Sequence, residues 1–164
     1  MASYNNSNQN DFPLYLFYQG KNYETYKFFG VHSIKKGRTK SFVFRVWAPH
    51  AVSVSVVGDF NNWDRNANPL SLIADGVWET TVSKLKQYDI YKFSIETSDG
   101  RFLMKSDPYA AHFETRPGTA SKIYESTYKW NDKEWIKNKK KSVIYKSPVN
   151  IYEVHLSSWK INDD

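Results

Sequence analysis

An alternation of period two, repeated along residues 42–105 and punctuated by Asp-Gly turns, leaves this chain few architectures. In SFVFRVW, Phe42, Phe44 and Val46 alternate with Val43, Arg45 and Trp47. In VSVSVV, Val52, Val54 and Val56 alternate with Ser53 and Ser55. In YKFSIET, Tyr91, Phe93 and Ile95 share one face, and Lys92, Ser94 and Glu96 share the other. Successive side chains of a strand point to opposite faces, so each run reads as a half-buried strand. Asp75-Gly76 between LSLI (70–73) and VWETTV (77–82) is a hairpin signal, and Asp99-Gly100 turns the chain into RFLMK (101–105). SKIY (121–124) reads as a last strand, and SIKKGRTK (33–40) as a loop with a Gly turn. The expectation is an all-β fold, a β-sandwich of about seven short strands over residues 41–126.

The flanks read differently. Residues 1–11 are rich in Asn and Ser and are expected to be disordered. Residues 12–40 form an N-terminal extension whose aromatic part, FPLYLFYQGKNYETYKFFGV, fits a short helix or an irregular segment packed on a larger surface. Residues 127–148 read as a linker with a short helix, capped by Asn131 or Asp132 and running into the lysines at 137–141. VNIYEVHL (149–156) is an apolar strand after the linker with almost no sequence behind it to pair with. It looks like the start of something cut off, and an unpaired edge of this kind predicts self-association through residues 149–156 or docking back onto the sandwich.

Composition removes several function classes. A chain of 164 residues holds one ordinary domain and a fringe. It has no cysteine, and its four histidines show no metal-ligand spacing, so no metal and no cofactor are expected. No apolar run reaches membrane-spanning length, and MASYNNSNQN lacks the features of a signal peptide, which makes a cytoplasmic protein the default. The net charge of +6 is partly the lysine run, read as a solvated face rather than a nucleic-acid surface.

GDFNNWD (58–64) sets the largest apolar side chain, Trp63, in a polar turn. Its ring either plugs one end of the sandwich or lies open as a stacking platform. Sugar rings offer C–H faces edged by hydroxyls, which an aromatic ring and nearby Asn, Asp or Lys groups would hold together. Lys92 fits the second reading, because its neighbours Tyr91 and Phe93 point to the core and leave it pointing outward.

FRVWAPHAVSVSVVGDFNNWD, GVWE, YKFSIETSDG, KSDPYAAHFETRPGTAS and NIYEVHLSSW together resemble the amino-terminal part of bacterial 1,4-α-glucan (glycogen) branching enzymes, from about Phe12 to Lys160. VWAP and GDFNNW are shared across carbohydrate-binding module family 48, which includes debranching enzymes and the glycogen-binding module of the AMP-activated kinase β subunit. KSDPYA…RPGTAS followed by IYEVHLSSW is more specific to branching enzymes. One departure stands out: where that family usually reads HLGSW, this chain has Ser157 in place of Gly.

The resemblance implies an immunoglobulin-like sandwich joined to a (β/α)₈ barrel, with 149–156 as the barrel's first strand. It also implies that the retaining carboxylate chemistry of transglycosylation, which needs two carboxyl groups about 5 Å apart, belongs to later barrel strands. These residues are therefore expected to be non-catalytic, binding α-glucan and supporting the barrel; the alternatives are a free-standing glycogen- or starch-binding module, or the amino-terminal module of a debranching-type enzyme of glycoside hydrolase family 13. By resemblance to the kinase module, the sugar platform would use Trp63 and Lys92, with Asn62 beside them and Phe102 as a weaker second aromatic. Trp78 is expected to pack against the sheet or the barrel, and Trp130 and Trp135 to cover the barrel face.

Overall fold

The alternating runs pair into two antiparallel sheets in a computed structural model of the chain, which describes residues 11–36, 39–141, 143–146 and 148–159. Nine strands occur among the described residues. They are β1 (Gly30–Lys36), β2 (Thr39–Trp47), β3 (Ala51–Gly58), β4 (Ser71–Ala74), β5 (Val77–Ser83), β6 (Ile90–Thr97), β7 (Phe102–Lys105), β8 (His112–Phe113) and β9 (Ser121–Lys122). One sheet has the order β1-β2-β5-β4, the other β3-β6-β9-β8. The far edge of β6 is divided between two partners: Ile90 and Tyr91 pair with β9, and Phe93 to Glu96 pair with β7.

The inward-facing residues are those the alternation picks out. Phe42, Phe44, Val46 and Val82 from one sheet meet Val54, Val56, Tyr91 and Phe93 from the other in a single buried cluster. Phe44 and Tyr91 touch edge to face at 5.1 Å between centroids, a favoured arrangement of aromatic quadrupoles. This is the expected immunoglobulin-like sandwich. Trp78 packs against the same cluster and donates from Nε1 to the Ala48 carbonyl at 3.0 Å, so its role is structural.

The opposite face of the first sheet is covered at one end by a helix, α1 (Asp11–Tyr18). Leu14 joins Phe28, Phe29 and Val77 in a second buried cluster. Phe17 meets Trp47 at 5.5 Å, and the Tyr18 hydroxyl donates to the Asp75 carbonyl at 2.6 Å. The aromatic segment at 12–31 therefore resolves into a helix, a 3₁₀ turn (Thr25–Lys27) and the first residues of β1.

Four local expectations are corrected. Residues 33–36, read as loop, continue β1, which pairs with β2 in the register Val31↔Phe44 and Ser33↔Phe42; the proposed Gly turn at 37–38 lies outside the described residues. The last strand shrinks from 121–124 to Ser121–Lys122, because Ile123 turns inward to full burial and donates its N–H to the Asp89 carbonyl. Residues 149–155 form no strand, and Leu156–Trp159 is a short helix, α3. A strand exists only as part of a ladder, and among the described residues that segment has no ladder partner. The expectation of disorder at residues 1–11 is corrected at Asp11, which begins α1, and otherwise lies outside the described residues.

Contacts divide the chain into two units at Ser126 and Thr127. The second contains α2 (Lys133–Lys139), a 3₁₀ turn at Ile144–Lys146 and α3. Asp132 takes the N-cap position of α2, as the sequence suggested, without a side-chain capping bond. Lys139 Nζ lies 4.8 Å above the Trp135 ring, and Trp130 meets Tyr128 edge to face at 5.0 Å.

Candidate functional site

The loop after β3 answers why a tryptophan sits in a polar stretch. Gly58 ends β3 where nothing larger fits: a Cβ there would lie 2.1 Å from the Ile90 carbonyl oxygen and 2.6 Å from the Phe60 ring. Residues Asp59–Asn61 then make one 3₁₀ turn. Asn61 is its brace. Its Oδ1 accepts the Gly58 N–H at 2.9 Å, and its Nδ2 donates to the Val56 carbonyl at 3.0 Å and to Asn68 Oδ1 at 2.8 Å.

Asn62 and Trp63 follow in the left-handed region, with φ of 52° and 58°. Asn tolerates that conformation, but a bulky residue there is a genuine outlier and stores on the order of 1–3 kcal/mol of strain. Two bonds hold Trp63 in place: its backbone N–H donates to the Gly58 carbonyl at 3.0 Å, and its indole Nε1 donates to Asp59 Oδ1 at 2.8 Å. The ring is half-buried. It is neither a core plug nor a freely displayed platform, and the loop around it is spent on fixing its orientation. Asn62 is exposed at the tip.

Lys92 stands outward on β6 as the alternation requires, opposite Val57 and one rung from Gly58. Its Nζ donates to Thr119 Oγ1 at 2.5 Å. The Trp63 loop and Lys92 are thus joined through the β3–β6 ladder. Phe102 lies further along the same face, paired with Glu96 across the β6–β7 ladder. The Arg65 guanidinium covers its ring at 4.0 Å, so the loop that carries Trp63 also reaches Phe102. A groove of about 270 Å³ runs here, lined by Ser53, Ser55, Arg65, Ser94, Glu96 and Phe102 among others. Trp63, Asn62 and Lys92 do not line it.

Several residues of this face were not singled out from sequence. Ser94 and Glu96 share the Lys92 face in the alternation, so the pattern that revealed Lys92 also held them. Thr119 and Arg65 come from loops, where no periodicity marks direction.

Three carboxylates of the first unit have structural partners. Asp64 accepts the Asn66 N–H at 2.9 Å, and Glu114 Oε2 accepts the Ala120 N–H at 2.7 Å. Asp107 is fully buried; it accepts from the Tyr91 hydroxyl at 2.7 Å and from the Tyr109 N–H at 2.8 Å. Burial pushes the Asp107 carboxyl above its ordinary value, while the Tyr91 hydrogen bond, the Tyr109 N–H and the charge of His32 oppose the rise. Burial and the neighbouring Asp107 raise the Tyr91 hydroxyl well above its ordinary value. The pair therefore ties β6 to the loop after β7. No group of His, Cys, Asp and Glu among the described residues could hold a metal ion, and no described helix is long and apolar enough to cross a membrane.

Among curated proteins, the chain is 48% identical over 152 residues to the 1,4-alpha-glucan branching enzyme GlgB of Halothermothrix orenii, which covers 92% of this chain and 24% of that enzyme. It is 43% identical over 150 residues to the GlgB branching enzyme of Bacillus cereus strain B4264, covering 90% of this chain and 23% of the relative. The chain thus spans about a quarter of the length of the curated relatives it matches. The fold resembles part of pullulanase type I from Bacillus subtilis, solved with maltose, with a TM-score of 0.50 and 23% identity over 63% of this chain and 14% of that one. Residues 28–110, half of the chain, match carbohydrate-binding module 48 (isoamylase N-terminal domain), and the chain belongs to that family.

Proposed function

We propose that this chain is the non-catalytic, α-glucan-binding module of a 1,4-α-glucan branching enzyme. In this reading the whole enzyme cleaves α-1,4 links and forms α-1,6 branches in glycogen synthesis. These residues hold or position the glucan and support the catalytic barrel. The single observation that carries the binding role is the backbone of Trp63. A bulky side chain is kept in a strained left-handed conformation, and Asp59 anchors its indole. Strain of this kind persists where the surroundings over-determine it, commonly at ligand sites.

Trp63 would stack on the C–H face of a glucosyl unit. Lys92 Nζ, held by Thr119, would donate to its hydroxyls. Asn62 sits at the loop tip within the same turn. Phe102 belongs to the reading as a second contact, one that Arg65 must uncover. Asp59, Asp64 and Asp107 are committed to turns and to the core, which supports the inactivity proposed for these residues on their own. Residues 149–164 are proposed to belong with the barrel, and self-association through residues 149–156 remains part of the proposal. A cytoplasmic location is part of it too, carried by the sequence reading.

Affinity electrophoresis through gels with and without glycogen tests the binding role. The wild type should be retarded. Trp63→Ala should lose most of the retardation, equivalent to a roughly tenfold or greater weakening, with near-UV circular dichroism showing a retained fold. A wild type that runs unretarded would remove the binding role and leave these residues as support for the barrel.

A further inference from the structure

Only two loops among the described residues hold non-glycine residues at positive φ. One carries Trp63. The other joins β5 to β6, where Lys84 has φ of 64° and Tyr88 φ of 71°. Strain in a bulky residue persists where its surroundings over-determine it, and it collects at ligand sites. This loop is over-determined by its bonds to the segment after β9. The Tyr88 N–H donates to the Ile123 carbonyl at 2.8 Å. Gln87 makes a reciprocal pair with the Glu125 backbone: its Nε2 donates to the carbonyl and its Oε1 accepts the N–H, both at 3.1 Å. The Tyr88 ring meets Tyr124 at 6.0 Å and His112 at 5.5 Å. The strained loop therefore fixes Tyr124 and Glu125.

Those two residues form one wall of a cavity of about 390 Å³. His32 and Ser33 of β1 form another, and Tyr26 and Tyr109 complete it. Tyr109 is fixed as well: its ring stacks on Phe29 at 5.4 Å, and its N–H donates to Asp107 at 2.8 Å. The chemistry is one-sided. Three tyrosine rings and a carboxylate line the cavity, and no Lys or Arg among the described residues does, in a chain whose net charge is +6. The face of a phenol ring is electron-rich. Glu125 already takes an ammonium group, since Lys40 Nζ donates to its Oε2 from outside the cavity. A carboxylate keeps lone pairs for further donors. Aromatic faces grouped around a negative charge attract an organic cation by its charge and cover its carbon atoms.

We infer that this cavity binds an organic cation, with a guanidinium or alkylammonium head among Tyr26, Tyr109 and Tyr124 and Glu125 as its counter-charge. The inference goes beyond the glucan reading and does not rest on it, because the cavity shares no residue with Trp63, Asn62, Lys92 or Phe102. Walls braced before the ligand arrives lower the ordering cost of binding, and that gives the strain at Tyr88 a function.

The test is a titration of the full ¹⁵N-labelled chain, followed by amide chemical shifts, with two probes: butylguanidinium chloride and a short end-capped peptide carrying one arginine. Butanol and sodium chloride at matched ionic strength are the references. Saturable shifts are expected at Tyr26, Ser33, Tyr109, Tyr124 and Glu125 with the cations and not with the references. Glu125→Gln keeps the backbone bonds to Gln87 and is expected to bind roughly tenfold more weakly; Tyr26→Ala, which removes an exposed ring, about two- to tenfold more weakly. A peptide that binds more tightly than butylguanidinium would support the inference with a protein partner's side chain as the source. Equal or weaker peptide binding would support it with a small free molecule. No saturable shift from either probe, the same shifts from butanol, or an unchanged affinity in either variant would overturn it.

Discussion

At the scale of single residues, the site depends on a glycine that touches no ligand. Gly58 is extended, with φ of −177°, so its requirement is steric and not conformational. A methyl group there would press on the Ile90 carbonyl, a rigid acceptor of the neighbouring strand. Backbone cannot swing aside as a side-chain end can, so Gly58→Ala is expected to cost about 3 kcal/mol or more. Because β3 must be pushed from β6, glycogen retardation should fall as well. Urea unfolding of the variant checks this; a midpoint within error of the wild type would show that the ladder gives way cheaply. The sequence announces Gly58 only as a turn opener, since close approach leaves no periodic trace. Trp63 was legible as a candidate because a large apolar residue in GDFNNWD has no burial pattern to account for it. Its left-handed backbone was not legible, because Asn and Trp adjacent in sequence do not reveal which of them the turn forces there.

At the scale of elements, legibility follows the core. β2, β3, β5 and β6 each press one face against the inter-sheet cluster, so alternation survives in their sequences. β1 is an edge strand in which Val31 and His32 are half-buried and Ile34 is 37% exposed, and its sequence shows no dominant face. β8 and β9 are two residues long, too short for any period to show. α1 is one of two readings its sequence allows, because its eight residues carry apolar side chains on most sides and no strong stripe. Its attachment can be tested. Leu14 is 5% exposed and packs with Phe28, Phe29 and Val77. Leu14→Ala is expected to destabilise the first unit by about 2–4 kcal/mol and to expose the bonds near residue 20 to protease. Faster cleavage there, with sheet circular dichroism retained, is the expected outcome; an unchanged digestion pattern would mean that Tyr18 and Phe17 hold the helix alone.

At the scale of the whole molecule, one buried ion pair substitute makes the fold answer to pH. Asp107 sits at full burial, with the Tyr91 hydroxyl and the Tyr109 N–H as its donors and the charge of His32 as its attractive neighbour. Its carboxyl is raised above the ordinary 3.8, chiefly by burial. A raised carboxyl means that the folded chain holds its proton more tightly than the unfolded chain does. The stabilising contribution is therefore fully present below 3.8 and is lost as pH rises through the folded value. Glu125 works in the opposite sense: its carboxyl is lowered by the hydrogen bond from Lys40 and that from Ser33, so its smaller, mostly exposed contribution is lost as pH falls. Comparing the wild type with Asp107→Asn cancels the Glu125 effect and leaves Asp107 alone. The amide keeps an oxygen for the Tyr109 N–H and a group that can meet the Tyr91 hydroxyl, so the variant is expected to fold. Its thermal midpoint, relative to the wild type, should rise as pH is taken from just above 3.8 towards neutrality, because only the wild type has a buried carboxylate to ionise. Parallel midpoint curves for the two proteins across that range would show that the Tyr91 and Tyr109 donors fully offset burial. Asp107 would then be an ordinary aspartate in its titration, and a structural tie between β6 and the loop after β7 in its packing.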